Sequence, residues 1–195
     1  MKINEYIDCD CEAEARDFLK RAGLHTLEIE NLKDIGYFTA PASKGHHLAC
    51  AGGLMRHSIN VSKILLGLAS HNMDERSCCR IGMLHDLVKC YCYCPADGED
   101  GRYEYVQPPY PGHGVASVLI ALDCGCDLTT KEKTAILWHM GAFGLDDKDM
   151  KAYREALRFY GEEMVLTHAA DHLASIREEQ AEAVKGEVKG VVRDE

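Results

Sequence analysis

The sequence predicts an all-α fold carrying one short β-hairpin excursion, and three observations carry that prediction. Apolar residues recur at three-and-four spacing along most of the chain, as in Leu54, His57, Val61, Ile64, Leu65 and Leu68. Two-residue alternation is confined to Cys90-Tyr91-Cys92-Tyr93-Cys94 and to residues 103–107 just beyond it. A length of 195 residues suits a single core that buries roughly two thirds of the unfolded chain's surface.

Taken in order, residues 11–22 and 24–35 read as two helices broken at Gly23. Residues 37–47 hold proline, glycine and small side chains without a period, so irregular chain is expected there. Residues 52–70 form the third helix, with His57 on its core-facing stripe. Asp74 is an acidic N-cap for a fourth helix reaching about residue 88, which turns Cys78, Ile81, His85 and Val88 inward. Residues 90–94 and 103–107 then flank a glycine-bearing connection, 95–101, and together predict the hairpin, with thiols on one face and phenols on the other. After the rigid Pro108-Pro109-Tyr110-Pro111-Gly112 connector, a fifth helix is expected from His113 to about residue 122. Thr129 or Thr130 caps a sixth, carrying Ile136, Leu137, Trp138 and His139. The last runs over about 161–177, with Met164, Val165, His168, Asp171, His172 and Ser175 at helical spacing. One domain over 1–177 follows, with 178–195 as a charged C-terminal tail that frays or projects.

Composition excludes several classes of function. The formal net charge is −10, from 32 acidic against 22 basic residues, so extended nucleic acid is not an expected partner and a bound phosphate must be attracted locally. Acids occupy the N-terminus where a secretory signal needs an apolar stretch, and no apolar run reaches membrane-spanning length. A cytoplasmic protein without a membrane partner is expected. Ten cysteines in a long, helix-rich chain without a signal are expected to be reduced thiols. None of Cys90/Cys92/Cys94, Cys9/Cys11, Cys78/Cys79 or Cys124/Cys126 has the two-to-four-residue gap of structural zinc sites, so packing is their expected role.

The chemistry concentrates on the His85-Asp86 doublet, with His57, His113, His139 and Asp171 on separate segments around it. Imidazole nitrogen and carboxylate oxygen together suit divalent first-row metals. A lone inward histidine is most simply a hydrogen-bonded core residue; it is the co-occurrence of six such groups that argues for a metal. Asp171, in mid-helix on the apolar side, is costly to ionise unless paired or metal-bound. Helical neighbours point about 100° apart, so His85 and Asp86 share a site only if ligands from other helices curl around that helix end. Such a layout suits two adjacent ions bridged by Asp86. His168-Ala169-Ala170-Asp171-His172 has the i, i+4 histidine spacing of zinc proteases, but that reading leaves His57 and the doublet unexplained; His168 or His172 would instead support Asp171.

In order and context, His57, His85-Asp86 and Asp171 resemble the H…HD…D signature of the HD-domain superfamily of metal-dependent phosphohydrolases, over a metal-site core of about 37–177. Phe38-Thr39-Ala40-Pro41-Ala42-Ser43, Gly52-Gly53-Leu54-Met55-Arg56-His57-Ser58 and Leu84-His85-Asp86-Leu87-Val88-Lys89 look like small bacterial HD-domain proteins of unassigned substrate. The resemblance implies an HD-domain helical bundle in which His57, His85, Asp86 and Asp171 hold one metal, while His113 and His139 match the extra histidines of two-metal members. One or two divalent ions are expected, from manganese, iron, nickel, cobalt, zinc or magnesium. It implies cleavage of a phosphomonoester or phosphodiester of a nucleotide or small phosphorylated metabolite, with Asp86 bridging the ions around a hydroxide that attacks phosphorus in line. Lys89, three residues after Asp86, is expected to act in catalysis and to hold the substrate phosphate, with His47, its neighbour His46 and Arg56 as further substrate contacts. The alternatives are a 3′-to-5′ exoribonuclease, from the similar Gly-Gly-Leu context before His57, and a non-catalytic metal- and nucleotide-binding sensor. The hairpin is an expected contact should the chain form a homo-oligomer.

Overall fold

The structure, a computed structural model, describes residues 3–69, 73–96 and 102–191, with side chains over 5–69, 73–96 and 102–186. Among these residues lie seven α-helices: α1 Glu12–Arg21, α2 Thr26–Asp34, α3 Gly53–Leu68, α4 Glu75–Leu84, α5 His113–Asp123, α6 Thr130–Leu137 and α7 Asp147–Val191. Short 3-10 turns span Ile3–Ile7 and Leu87–Tyr91. A two-stranded antiparallel hairpin pairs β1 Tyr93–Pro95 with β2 Tyr103–Tyr105, placing Tyr93 opposite Tyr105. The chain is therefore all-α with one short hairpin, as its periodicity predicts. No described helix is long and apolar enough to cross a membrane.

Side-chain capping sets two helix starts. The Asp74 carboxylate accepts from the Ser77 amide at 2.7 Å, and Thr129 with Glu132 forms a reciprocal capping box at α6. α3 runs through the centre of the molecule and is buried on every side from Gly53 to Ser62. Leu19 of α1, Leu32 of α2, Ile81 and Leu84 of α4 and Ile120 of α5 pack in the same core, each under 2 % exposed. Burial of each such side chain contributes about 1.5–3 kcal/mol.

Two glycines let backbones approach more closely than any other residue would allow. A Cβ on Gly82 of α4 would lie 2.3 Å from Ser62 Oγ and 2.7 Å from the Ser62 backbone on α3. One on Gly114 of α5 would lie 2.1 Å from the Leu137 carbonyl oxygen at the end of α6. Gly82 stands three residues before His85, and Gly114 directly follows His113. The close crossings thus bring α4 against α3 and α5 against α6 beside the histidines.

The structure departs from the periodic reading in four places. α4 stops at Leu84 rather than near residue 88; His85 and Asp86 form a turn and the chain continues as the Leu87–Tyr91 3-10 turn. That turn absorbs Cys90 and Tyr91, so only Tyr93 and Cys94 of the alternating run enter β1, and β2 ends at Tyr105 rather than at residue 107. A helical stretch from Asp147, to which the periodicity assigned nothing, runs into α7 with a kink at Tyr160 (φ −133°, ψ 25°). Finally, α7 runs through the expected boundary at 177 as far as Val191, and Glu178 and Ala181 beyond that boundary are fully buried. Ser70, residues 97–101 of the hairpin connection and residues 192–195 lie outside the described residues.

Candidate metal centre

The break after Leu84 resolves the geometric difficulty of the doublet. In a continuing helix His85 and Asp86 would diverge; in the turn both face the core, His85 at 0 % and Asp86 at 3 % exposure. His57 comes from the middle of α3, His113 from the first residue of α5, His139 from two residues past α6, and Asp171 from mid-α7. The rings of His47, His57, His85, His139 and His113 form a row, with successive centroids 5.4, 5.3, 5.1 and 5.2 Å apart.

Backbone carbonyls fix the tautomers. His85 Nδ1 lies 2.9 Å from the Gly82 oxygen and His139 Nδ1 lies 2.7 Å from the Ile136 oxygen. A carbonyl only accepts, so both rings carry a proton on Nδ1 and turn Nε2 inward; burial keeps His85 neutral with a bare Nε2 lone pair, whereas Asp86 overcomes burial and raises His139. Those two Nε2 atoms are buried and have no hydrogen-bond partner. His57 is oriented similarly by Glu178, whose fully buried carboxylate lies 3.0 Å from His57 Nδ1 and accepts from Asn60 Nδ2 at 2.7 Å.

The inward nitrogens divide between the two oxygens of Asp86. Oδ2 faces His57 Nε2 at 3.7 Å and His85 Nε2 at 3.5 Å; Oδ1 faces His113 Nε2 at 2.6 Å and His139 Nε2 at 3.5 Å. Asp171 Oδ1 completes the first group, 3.1 Å from His57 Nε2 and 3.7 Å from His85 Nε2. Donors held about 2.1 Å from a shared ion lie roughly 3.0–3.4 Å apart, so both groups need only small adjustments to ligate. Three sets, His57/His85/Asp171, Asp86/His113/His139 and, toward the rim, His47/His57/Glu178, each gather their donor atoms within 4.8 Å. Donor chemistry, spacing and unpartnered nitrogens all fit divalent cations.

Electrostatics point the same way. Burial alone would raise both aspartates, yet Lys89 and His85 hold Asp86, and His57 and His85 hold Asp171, well below the usual carboxylate range. Burial pushes His85 down, leaving it neutral and able to ligate. It pushes His57 down too, but Glu178 and Asp171 overcome this and lift it to about 10. His57 thus carries the positive charge that the carboxylates demand, and a bound cation would take over that role and release the proton.

Lys89 reaches Asp86 Oδ2 at 2.5 Å from the Leu87–Tyr91 turn. His47 stands at the rim, its Nε2 3.8 Å from Glu178 Oε2 and 3.5 Å from Ser175 Oγ. His46 is exposed, and its amide donates to Ser43 Oγ. Arg56 corrects the sequence reading: one position along α3 from His57, it turns to the N-terminal segment, donating to the Asp8 carbonyl and pairing with Glu14 at 3.0 Å. His168 and His172 stack on exposed α7 surface rather than joining the cluster. His168 Nδ1 does donate to the His139 carbonyl at 2.7 Å, holding that loop.

Glu178 is the residue that the sequence reading missed, although a signal existed. Asp171, Ala174, Glu178 and Ala181 keep the three-four-three spacing of one buried stripe across the expected boundary at 177.

The most open of the clustered side chains, His113 at 33 % exposure, also borders a cavity of about 480 Å³. Its walls include Val115, Leu137, Trp138, Met140 and Phe143, and Asp149 is the one carboxylate among its lining residues. Comparison of the chain with protein-family models, with curated proteins and with solved structures returns no match.

Proposed function

We propose that the protein is a metal-dependent phosphohydrolase of HD-domain type, acting on a phosphate ester of a nucleotide or small metabolite. The observation that carries this reading is the pair of buried, unpartnered Nε2 atoms of His85 and His139 on opposite sides of one bridging carboxylate. His57, His85 and Asp171, with Asp86, His113 and His139, would hold divalent ions that would supply Lewis acidity and lower the pKa of bound water toward neutrality. Asp86 holds the two positions in fixed relation. His57, oriented by Glu178, and His85 and His139, oriented by backbone carbonyls, hold their Nε2 atoms toward the site without rotamer search, and His57 would give up its proton to a bound cation. Lys89 brings a cation to the same side of Asp86 as His57 and His85, where it meets a phosphate oxygen and balances charge developing on it. The uncharged part of the ester enters the apolar cavity beside His113, whose lining has no lysine or arginine to hold a second phosphate.

The test is elemental analysis of protein purified without chelator, followed by assay of p-nitrophenyl phosphate and bis(p-nitrophenyl) phosphate with manganese, cobalt or nickel. Metal-dependent hydrolysis is expected, lost in His85→Ala and Asp86→Ala variants whose helical circular dichroism is retained. Saturation with metal and no turnover across a broad ester panel would replace the enzyme with a metal-binding sensor.

A further inference from the structure

Away from the metal centre, two thiols far apart in sequence meet. Cys9 Sγ and Cys50 Sγ lie 3.1 Å apart across 41 residues. Cys9 sits between the Ile3–Ile7 turn and α1; Cys50 sits three residues before α3. Both border one surface cavity, together with Ile7, Asp8, Ala51 and Lys185, and Cys50 is solvent-exposed.

Six buried thiols contrast with this pair. Burial raises Cys11, Cys78, Cys79, Cys92 and Cys124 to about 11 and Cys126 to about 12, which keeps them protonated and unreactive. Cys50 shifts the other way. The hydrogen bond from Cys9 outweighs burial and nearby Glu182 and, with Lys185, holds the Cys50 thiol below its ordinary value, while the same contact drives Cys9 up. An exposed sulfur with thiolate character beside a second thiol is the arrangement that oxidants attack first.

We propose that Cys9 and Cys50 are an oxidisable dithiol that closes to a disulfide on reaction with hydrogen peroxide. The Cys50 thiolate attacks one peroxide oxygen; the O–O bond breaks, an S–O bond forms, and the sulfur is oxidised by two electrons as hydroxide leaves and takes a proton to become water. The Cys9 sulfur then attacks the Cys50 sulfenic acid, forming the S–S bond and expelling a second water that carries away the Cys9 proton. A disulfide sets the sulfurs about 2.05 Å apart, so closure asks for a shift of about 1 Å. The bridge pins the N-terminal segment to the stretch that carries His47 and leads into α3. In that stretch the Leu48 amide is already held at 2.9 Å by Glu182 of α7.

The experiment uses the full reduced chain, freed of reductant and treated with stoichiometric peroxide, then alkylated, weighed intact and mapped by fragmentation. Expected are a mass loss of two hydrogens, a cross-link between the peptides containing Cys9 and Cys50, and a Tm raised by roughly 5–10 °C and restored by dithiothreitol. Cys11→Ser should leave the link intact, and Cys9→Ser should leave a Cys50 sulfenic acid that dimedone traps. Alkylated Cys9 and Cys50 alongside a link elsewhere, or Cys50 advancing to sulfinic acid without bridging, would overturn the proposal. Neither result depends on metal or on turnover, so it stands or falls apart from the phosphohydrolase reading.

Discussion

Two buried polar clusters lie on α4, one near its start and one just past its end, and they are finished differently. Arg80, 6 % exposed, donates to the Ala22 carbonyl at 2.9 Å and the Asp127 carbonyl at 2.7 Å, and pairs with Glu132 at 3.4 Å. Glu132 also accepts from Ser77 Oγ and the Thr129 amide. None of these atoms is left without a partner, whereas one turn past Arg80 the histidine cluster leaves the buried Nε2 atoms of His85 and His139 unpartnered. A closed cluster joins α4 to α6 and needs nothing more. An open one, beside which Ser58 Oγ and Asn60 Oδ1 are also buried without a partner, keeps donor atoms that a cation could take.

That contrast can be broken most sharply at the closed cluster. Glu132→Ala leaves the Arg80 guanidinium buried without its counter-charge and should cost about 3–5 kcal/mol in urea unfolding, with no change in metal affinity for whatever folded protein remains. If metal affinity fell as well, the two clusters would be one coupled unit. A smaller effect is expected at Glu178, which orients His57. Glu178→Gln should weaken metal binding by roughly 10–100-fold, about 1.4–2.7 kcal/mol, measured by competition with a chromophoric chelator. An unchanged affinity there would reduce Glu178 to a packing role. The smallest effect belongs to Arg56: Arg56→Gln should lose some stability through Glu14 and the Asp8 carbonyl yet bind metal as the parent does, and calorimetric titration separates the two.

Much of this was legible in the sequence, and the exceptions share a cause. The stripes of α1, α2, α3, α5 and α6 followed from periodicity, and residue type singled out His57, His85, Asp86, His113, His139 and Asp171, whose side chains the fold brings into two neighbouring groups. The end of α4 did not, because Cys78, Ile81, His85 and Val88 fit an unbroken helix equally well. It is the need to turn both His85 and Asp86 inward that stops it. Arg56 failed for the converse reason, since adjacency in sequence means divergence on an intact helix. Glu178 was passed over because a rise in charged residues resembled a tail, though the buried stripe of Ala174 and Ala181 ran through it. Cys9 and Cys50 carried no sequence signal at all, because their meeting depends on where the N-terminal segment lies against the approach to α3.

The bend at Tyr160 separates two duties along one helix. Before it, Asp149 and Ala152 wall the cavity beside His113; after it, Asp171 and Glu178 flank His57. Drift in the first half can therefore reshape the cavity while the contacts that Asp171 and Glu178 make with His57 stay intact.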